Sequence, residues 1–137
     1  SAVNDLAHTF HEARQRALTE GIDVAVCPSR TGRQCDYADG WSNGWLVFSN
    51  TDQDAPPYRD PDEPYVSFAD IPDSLTVTSN RQAYTLRPFG LRSTNGTFVL
   101  CDHRGASYAR ALILSYTGKP RTASTTTGGG ALICATV

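Results

Sequence analysis

The sequence predicts an α+β fold in which one N-terminal helix packs against antiparallel β-sheets. Apolar residues recur every three or four positions over residues 2–20, which is the period of an amphipathic helix. After residue 21 the pattern changes to the alternation and short apolar runs of strands. Gly, Asn, Asp and Pro residues separate these runs. One helix followed by strands is therefore the predicted element order.

The first element is the predicted helix. Its apolar stripe, which we expect to face the sheets, comprises Val3, Leu6, Phe10, Ala13, Ala17 and Leu18. Arg14, Arg16 and Glu20 fall outside this stripe, and Gly21 is a helix terminator. Residues 1–137 are predicted to form one domain, in which 22–137 are a β-rich head.

Eight strands are predicted after the helix, at residues 22–27, 44–49, 65–69, 75–79, 83–87, 97–101, 109–117 and 131–137. The Asn95-Gly96 dipeptide before the sixth strand is typical of a hairpin turn. Two long loops remain. Residues 50–64 are acidic and proline-rich and are expected to be exposed, whereas residues 118–130 are basic and glycine-rich and are expected to be mobile.

The length and composition are those of a globular protein. The chain has 137 residues, of which 39% are hydrophobic and 19% charged. No apolar run in the sequence approaches the ~18 residues of a membrane span. The sequence contains no Met, so we expect that a segment upstream of Ser1 has been removed.

The four cysteines are Cys27, Cys35, Cys101 and Cys134, and none of them forms the C-x-x-C pair typical of a zinc site. An even set in a small chain predicts two disulfides and an oxidising compartment. Sequence separation favours the pairs Cys27–Cys35 and Cys101–Cys134, with the other two connectivities left open. Each disulfide would contribute roughly 2–4 kcal/mol to stability.

Charge is unevenly distributed along the chain, although the net charge is only −2. Residues 1–80, the acidic half, carry 5 arginines against 13 acidic residues. Residues 81–137, the basic half, carry 6 arginines and Lys119 against Asp102 alone. Two interpretations stay open: the halves neutralise each other in the fold, or they present opposite charges to partners.

No convincing active site is visible in the sequence. Cys101-Asp102-His103 places a thiol, a carboxylate and an imidazole in a row, but neighbouring residues at a strand end point in alternating directions. His8 and His11 share a helix face without a third metal ligand nearby, so a surface position is the preferred interpretation. No cofactor is predicted.

The loop of residues 50–64 has weak features of a calcium site. Its oxygen-bearing side chains are Asn50, Asp52, Asp54, Asp60, Asp62 and Glu63. The glycine that an EF-hand loop requires after the third ligand is replaced by Ala55, so a solvated acidic loop is preferred and no metal is predicted. Asn95-Gly96-Thr97 is formally a glycosylation sequon but is interpreted as a turn.

An ordered set of motifs resembles the GspH/FimT family of type IV pilin-like proteins, over most of the chain. The matching segments are "ARQRAL" (13–18), the Cys27–Cys35 loop, "WSNGWLVF" (41–48), "RPFG" (87–90), "FVLCD" (98–102) and "LILSYTGKPR" (112–121). The resemblance implies a periplasmic, non-enzymatic protein of a Gram-negative bacterium. It also implies an apolar helix upstream that anchors the protein in the inner membrane and packs the filament core. Residues 1–21 would then be the C-terminal half of that helix.

Within the family, the preferred function is that of a FimU-type minor pilin. Such a protein acts in the complex that primes pilus assembly and sits at the pilus tip, so its partners would be other minor pilins and the major pilin. Twitching motility and adhesion would depend on the assembled pilus at the cell surface. A bipolar charge distribution would suit stacking between subunits.

The first alternative is a FimT-type minor pilin that binds DNA during uptake. The resemblance then implies that the C-terminal basic motif contacts phosphates, with Lys119 in place of an expected Arg. The candidate nucleic-acid-binding residues are Lys119, Arg121, Arg110, Arg104 and Arg92. Further alternatives are a GspH-type pseudopilin of type II secretion and, outside the family, a secreted disulfide-bonded binding domain.

Overall fold

One helix and two four-stranded sheets make up the fold of the computed structural model, which describes residues 2–71 and 74–134. The elements are α1 (Ala2–Glu20), β1 (Val24–Pro28), β2 (Gly44–Ser49), β3 (Tyr65–Asp70), β4 (Thr76–Ser79), β5 (Tyr84–Leu86), β6 (Gly96–Cys101), β7 (Arg110–Leu114) and β8 (Pro120–Ala123). The first sheet has the order β3-β2-β1-β5, and the second has the order β4-β6-β7-β8. All pairs are antiparallel. The predicted α+β class is confirmed.

Helix α1 lies against both sheets and begins and ends close to the predicted positions. The stripe from Val3 to Ala17 is buried as predicted, whereas Leu18 is only half-buried. Gly21 ends the helix with φ 67° while its N–H donates to the Ala17 carbonyl at 2.9 Å. Only glycine adopts this left-handed conformation without strain, which explains its place after the last turn.

An aromatic cluster joins the helix to the two sheets. The Phe10 ring lies 5.3 Å from the Tyr84 ring of β5 and 5.7 Å from the Phe98 ring of β6, measured between ring centroids. Tyr84 and Phe98 stack on each other at 4.8 Å, and Trp41 meets Phe98 edge-on at 4.8 Å. Because β5 belongs to the first sheet and β6 to the second, Phe10 connects all three layers.

The two disulfides hold covering segments against the outer faces of the sheets. Cys27–Cys35 closes the loop beside the buried Phe48 on the far side of the first sheet. Cys101–Cys134 brings Leu132 onto Ile113 on the far side of the second sheet. The predicted pairing is therefore confirmed, and each bond lets a sheet bury its second face.

The C-terminal region differs from the sequence prediction. Residues 118–130 were expected to be a mobile loop, but Pro120–Ala123 forms the edge strand β8 along β7. The predicted last strand, 131–137, is wrong for its described part, since 131–134 contain only one bridge, between Ala131 and Thr125. Residues 135–137 lie outside the described residues. An exposed edge strand needs no alternation of apolar residues, so the pattern did not predict β8. The apolar run that ends at Cys134 packs over the outer face of the second sheet and does not form a strand.

The hairpin predicted at Asn95-Gly96 is also wrong. This dipeptide leads from β5 in one sheet to β6 in the other, so the two flanking strands do not pair. Glycine is required at residue 96 because a Cβ atom there would lie 2.4 Å from the Tyr84 hydroxyl. Close packing, rather than a turn conformation, explains the dipeptide.

Among the described residues, no helix is both long and apolar enough to cross a lipid bilayer.

Replacing Phe10 with Ala should lower the free energy of unfolding by about 3–5 kcal/mol, since it leaves a cavity between the two sheets. Denaturant unfolding followed by circular dichroism measures this change. The matched control is His11→Ala on the exposed face of α1, which should change stability by less than about 0.5 kcal/mol. Equal effects of the two substitutions would contradict the central position of Phe10.

Candidate interaction surfaces

The Cys-Asp-His sequence does not form a catalytic site. The Cys101 sulfur is in a disulfide, and the Asp102 carboxylate pairs with the Arg104 guanidinium at 2.8 Å. Hydrogen bonds from Arg104 lower the pKa of Asp102 to about 2. The carboxylate is thus held as a structural anion. On α1, the His8 imidazole meets the Glu12 carboxylate one turn later, and both side chains are exposed.

The acidic loop is organised around one buried carboxylate. Glu63 is only 2% exposed, and its oxygens accept hydrogen bonds from the Thr51 hydroxyl and from the N–H groups of Asp52 and Asp60. The shortest of these bonds, from the Asp60 N–H, is 2.8 Å. Three donors within the loop explain how a carboxylate is buried without a cationic partner.

This arrangement gathers three carboxylates. One oxygen from each of Asp52, Asp60 and Glu63 lies within 4.8 Å of the others. Such oxygens are the type that Ca²⁺ prefers, and these three side chains are among the six that the sequence analysis named in this loop. Asn50 instead donates to the Asp54 carbonyl, and the Asp54 carboxylate accepts from the Tyr58 N–H.

The five basic candidates do not form one stripe. Arg104 and Arg110 lie where β6 ends and β7 begins, whereas Lys119 and Arg92 lie at the opposite end of the second sheet. Four residues of β7 separate these ends, which is about 13 Å at ~3.3 Å per residue. At physiological salt, charges this far apart act almost independently, since the Debye length is about 8 Å.

The faces of the sheet divide these residues further. Ala111 of β7 faces the outer side of the second sheet, so its neighbour Arg110 faces the side on which α1 lies. There Arg110 lines a cleft together with Val3 of α1. Arg121 pairs in register with Ile113 and so lies on the outer side. Lys119 is exposed beside it, at the start of β8. The structure therefore brings only Lys119 and Arg121 together.

Sequence reasoning missed a second basic surface, which also carries exposed apolar side chains. Phe89 is 93% exposed, the most of any large apolar side chain in the part of the chain that the structure describes. Its cleft, of about 410 Å³, is lined in part by Arg14, Leu18, Arg87, Leu91, Arg92 and Tyr116. We call these residues, with Phe89, the Phe89 surface. The signal in the sequence is the "RPFG" segment (87–90), in which an aromatic residue lies between an Arg-Pro pair and a glycine, the residue types of an exposed turn.

The acidic and basic halves of the sequence meet at one ion pair. Arg87 Nε lies 3.7 Å from Asp23 Oδ1, and this is the ion pair seen between the halves in residues 2–71 and 74–134. The other ion pairs, such as Arg16 with Glu20, are local. Direct ion pairing between the halves therefore neutralises little of the charge.

Asp60 should titrate with a pKa of about 6 instead of the ordinary 3.8, because its protonated carboxyl group hydrogen-bonds to Asp52 and because the charges of Asp52 and Glu63 disfavour a further negative charge. Since folding raises this pKa, the contribution of Asp60 to stability is present below pH 3.8 and is lost as the pH rises through about 6. Carboxyl ¹³C NMR titration measures the value. Asp52→Asn should return the pKa of Asp60 towards the ordinary value, whereas the control Asp62→Asn should leave it unchanged. An unshifted Asp60 in the wild-type protein would contradict the crowded geometry.

Three solved structures share this fold over most of their length. Two are crystal structures of the type IV minor pilin FimU of Pseudomonas aeruginosa. One has a TM-score of 0.64 at 16% identity and covers 89% of this chain and 90% of that chain. The other has a TM-score of 0.63 at 14% identity and covers 89% of this chain and 85% of that chain. The third is the minor pseudopilin EpsH of the type 2 secretion system of Vibrio cholerae, with a TM-score of 0.61 at 10% identity, covering 89% of this chain and 93% of that one. At these identities, the likeness establishes the fold.

No curated protein sequence matches the chain. A protein-family model does match, and it is described as type II transport protein GspH. The match spans residues 2–118, from the start of α1 to the turn before β8. It covers most of the chain, so the resemblance noted in the sequence is confirmed. The chain belongs to the GspH family of minor pilins and pseudopilins, which are structural proteins of pilus and type II secretion systems and not enzymes.

Proposed function

We propose that this chain is a minor pilin of a type IV pilus, acting in the complex that primes assembly and sits at the pilus tip. The observation that carries the proposal is the fold shared with FimU, which extends over 89% of this chain and 90% of that one. The partners are other minor pilins and the major pilin. The site of action is the inner membrane and periplasm before assembly and the pilus fibre afterwards.

The position of α1 supports this assignment. Its stripe from Val3 to Ala17 is covered by the head, so the helix and the sheets move as one body. In this proposal, residues 1–21 are the C-terminal half of a longer helix whose apolar half anchors the protein and joins the filament core. Because the head is fixed on this helix, the packing of the helices in the filament core determines where each head lies on the filament surface.

Deleting the gene should reduce the number of surface pili several-fold and impair twitching, because a filament that is not primed rarely starts. Electron microscopy and motility assays measure both effects, and the full-length gene should restore them. Mass spectrometry of sheared pili should find the protein at far fewer copies than the major pilin. Normal pili together with a loss of type II secretion would contradict the proposal and favour the EpsH-like role.

DNA binding is a second candidate function, favoured by one observation. The side chains of Lys119 and Arg121 are exposed and, among the described residues, make no ion pair. Arg121 lies on the edge strand β8 and Lys119 immediately precedes that strand, so a phosphate backbone can approach both. Arg104 is already paired with Asp102, so it would contribute less to DNA binding than the sequence suggested.

Duplex DNA should bind weakly at low salt through this pair, with log affinity falling against log salt at a slope of about −2 for two phosphate contacts. Lys119→Ala/Arg121→Ala should abolish this binding. The control Arg16→Ala/Arg33→Ala removes the same charge from the acidic half and should leave binding unchanged. Fluorescence anisotropy across a salt series provides the measurement. Equal binding by the two double variants would rule out a site at β8.

A further inference from the structure

A tight turn presents Phe89 to solvent. The Leu91 N–H donates to the Pro88 carbonyl at 3.1 Å, which closes a four-residue turn. Gly90 occupies the third position with φ 89°, a conformation that suits glycine in a turn of this type. Phe89 stands at the second position, and its ring is almost entirely in water. The turn therefore holds an aromatic ring outward by its backbone conformation.

The base of this turn is tied to the body of the protein. The Arg87 N–H donates to the Ser93 hydroxyl at 2.9 Å, and the Ser93 N–H donates to the Tyr116 carbonyl at 2.8 Å. Ser93 is itself buried. These bonds fix the turn against the segment that follows β7, so an incoming partner need not order it. Binding through a preorganised loop loses less conformational entropy.

Apolar and cationic groups surround the ring. Leu91 and Tyr116 are about half exposed, at 51% and 50%, and lie in the same cleft. The Arg92 guanidinium covers the Tyr116 ring at 4.6 Å, and Arg14 Nε donates to the Thr117 carbonyl at 2.9 Å. Contiguous exposed apolar groups with a charged rim are typical of protein interaction sites. Aromatic residues and arginine are also the types enriched at interface centres.

The charge of the surface indicates the chemistry of its partner. Three arginines, Arg14, Arg87 and Arg92, line the cleft, and the nearest carboxylate seen among the described residues is Asp23, at 3.7 Å from Arg87. A partner with carboxylates around an apolar pocket would match both the ring and its rim. The apolar centre favours a protein over duplex DNA, whose bases are already stacked on one another and whose backbone offers charge but no apolar pocket for Phe89.

We propose that the Phe89 surface docks onto a neighbouring pilin subunit, with the Phe89 ring in an apolar pocket and with Arg14 and Arg92 facing carboxylates at its edge. The occupant rests on the proposed function, since that function supplies pilin neighbours. Because Arg14 and Leu18 belong to the last turns of α1, the contact joins the end of this helix to the neighbouring head.

Site-specific photo-crosslinking in the full-length protein tests this contact. Phe89→p-benzoylphenylalanine is expressed in the bacterium that assembles the filament, and products are identified by mass spectrometry. We expect a covalent product with another pilin subunit, at a peptide that carries acidic residues. The matched control is Tyr65→p-benzoylphenylalanine, at a 54% exposed aromatic position outside this surface. Its yield should be at least about fivefold lower.

Charge reversal tests the arginine rim in the same assay. Arg14→Glu/Arg92→Glu should lower the crosslink yield at residue 89 about tenfold, since it places like charges in the contact. A product with nucleic acid, with a second copy of this chain, or with no pilin subunit would overturn the docking inference. If gene deletion still reduces the number of surface pili several-fold in that case, the proposed function stands and only this surface is wrong. Normal pili after deletion would instead remove the proposed function itself.

Discussion

Packing of the buried Phe10 ring against the stacked rings of Tyr84 and Phe98 is the contact on which the rest of the structure depends. Each sheet has an apolar face that must leave water, and both faces meet the same stripe of α1. The helix thus supplies one core for two sheets whose strands do not pair with each other. The turn that carries Phe89 inherits its position from this packing, since it connects β5 of one sheet with the segment that leads to β6 of the other.

The disulfides contribute to the burial of the outer faces of the two sheets, which α1 does not contact. Strands β1 and β2 are buried on both sides, which a single helix cannot provide. Cys27–Cys35 and Cys101–Cys134 each hold a short segment over one outer face, so apolar residues on the outer faces of both sheets are also buried. The large apolar groups left in water are therefore informative. Phe89 is the most exposed of them, and it stands beside arginines that the acidic half leaves largely unpaired.

Local patterns predicted the elements that depend on local physics. The period of the apolar residues predicted α1 and its end at Gly21, and sequence separation favoured the disulfide pairing that the structure contains. The failures concern contacts between distant segments. Strand β8 has no apolar alternation because it is an exposed edge, and Gly96 is explained by the Tyr84 hydroxyl rather than by a turn. The grouping of Arg14 with Phe89 depends on tertiary packing, so no linear motif predicts it.

A pilin head must move as one body with its helix if packing in a filament core is to position the head surface. Hydrogen exchange of backbone amides under increasing denaturant tests most directly whether α1 and the two sheets unfold together. The amides of α1, of β1 in the first sheet and of β7 in the second should exchange through one opening, with the free energy of global unfolding. Protection of β7 that persists after α1 and β1 have opened at a lower free energy would contradict the account, because the second sheet would then be stable without the helix.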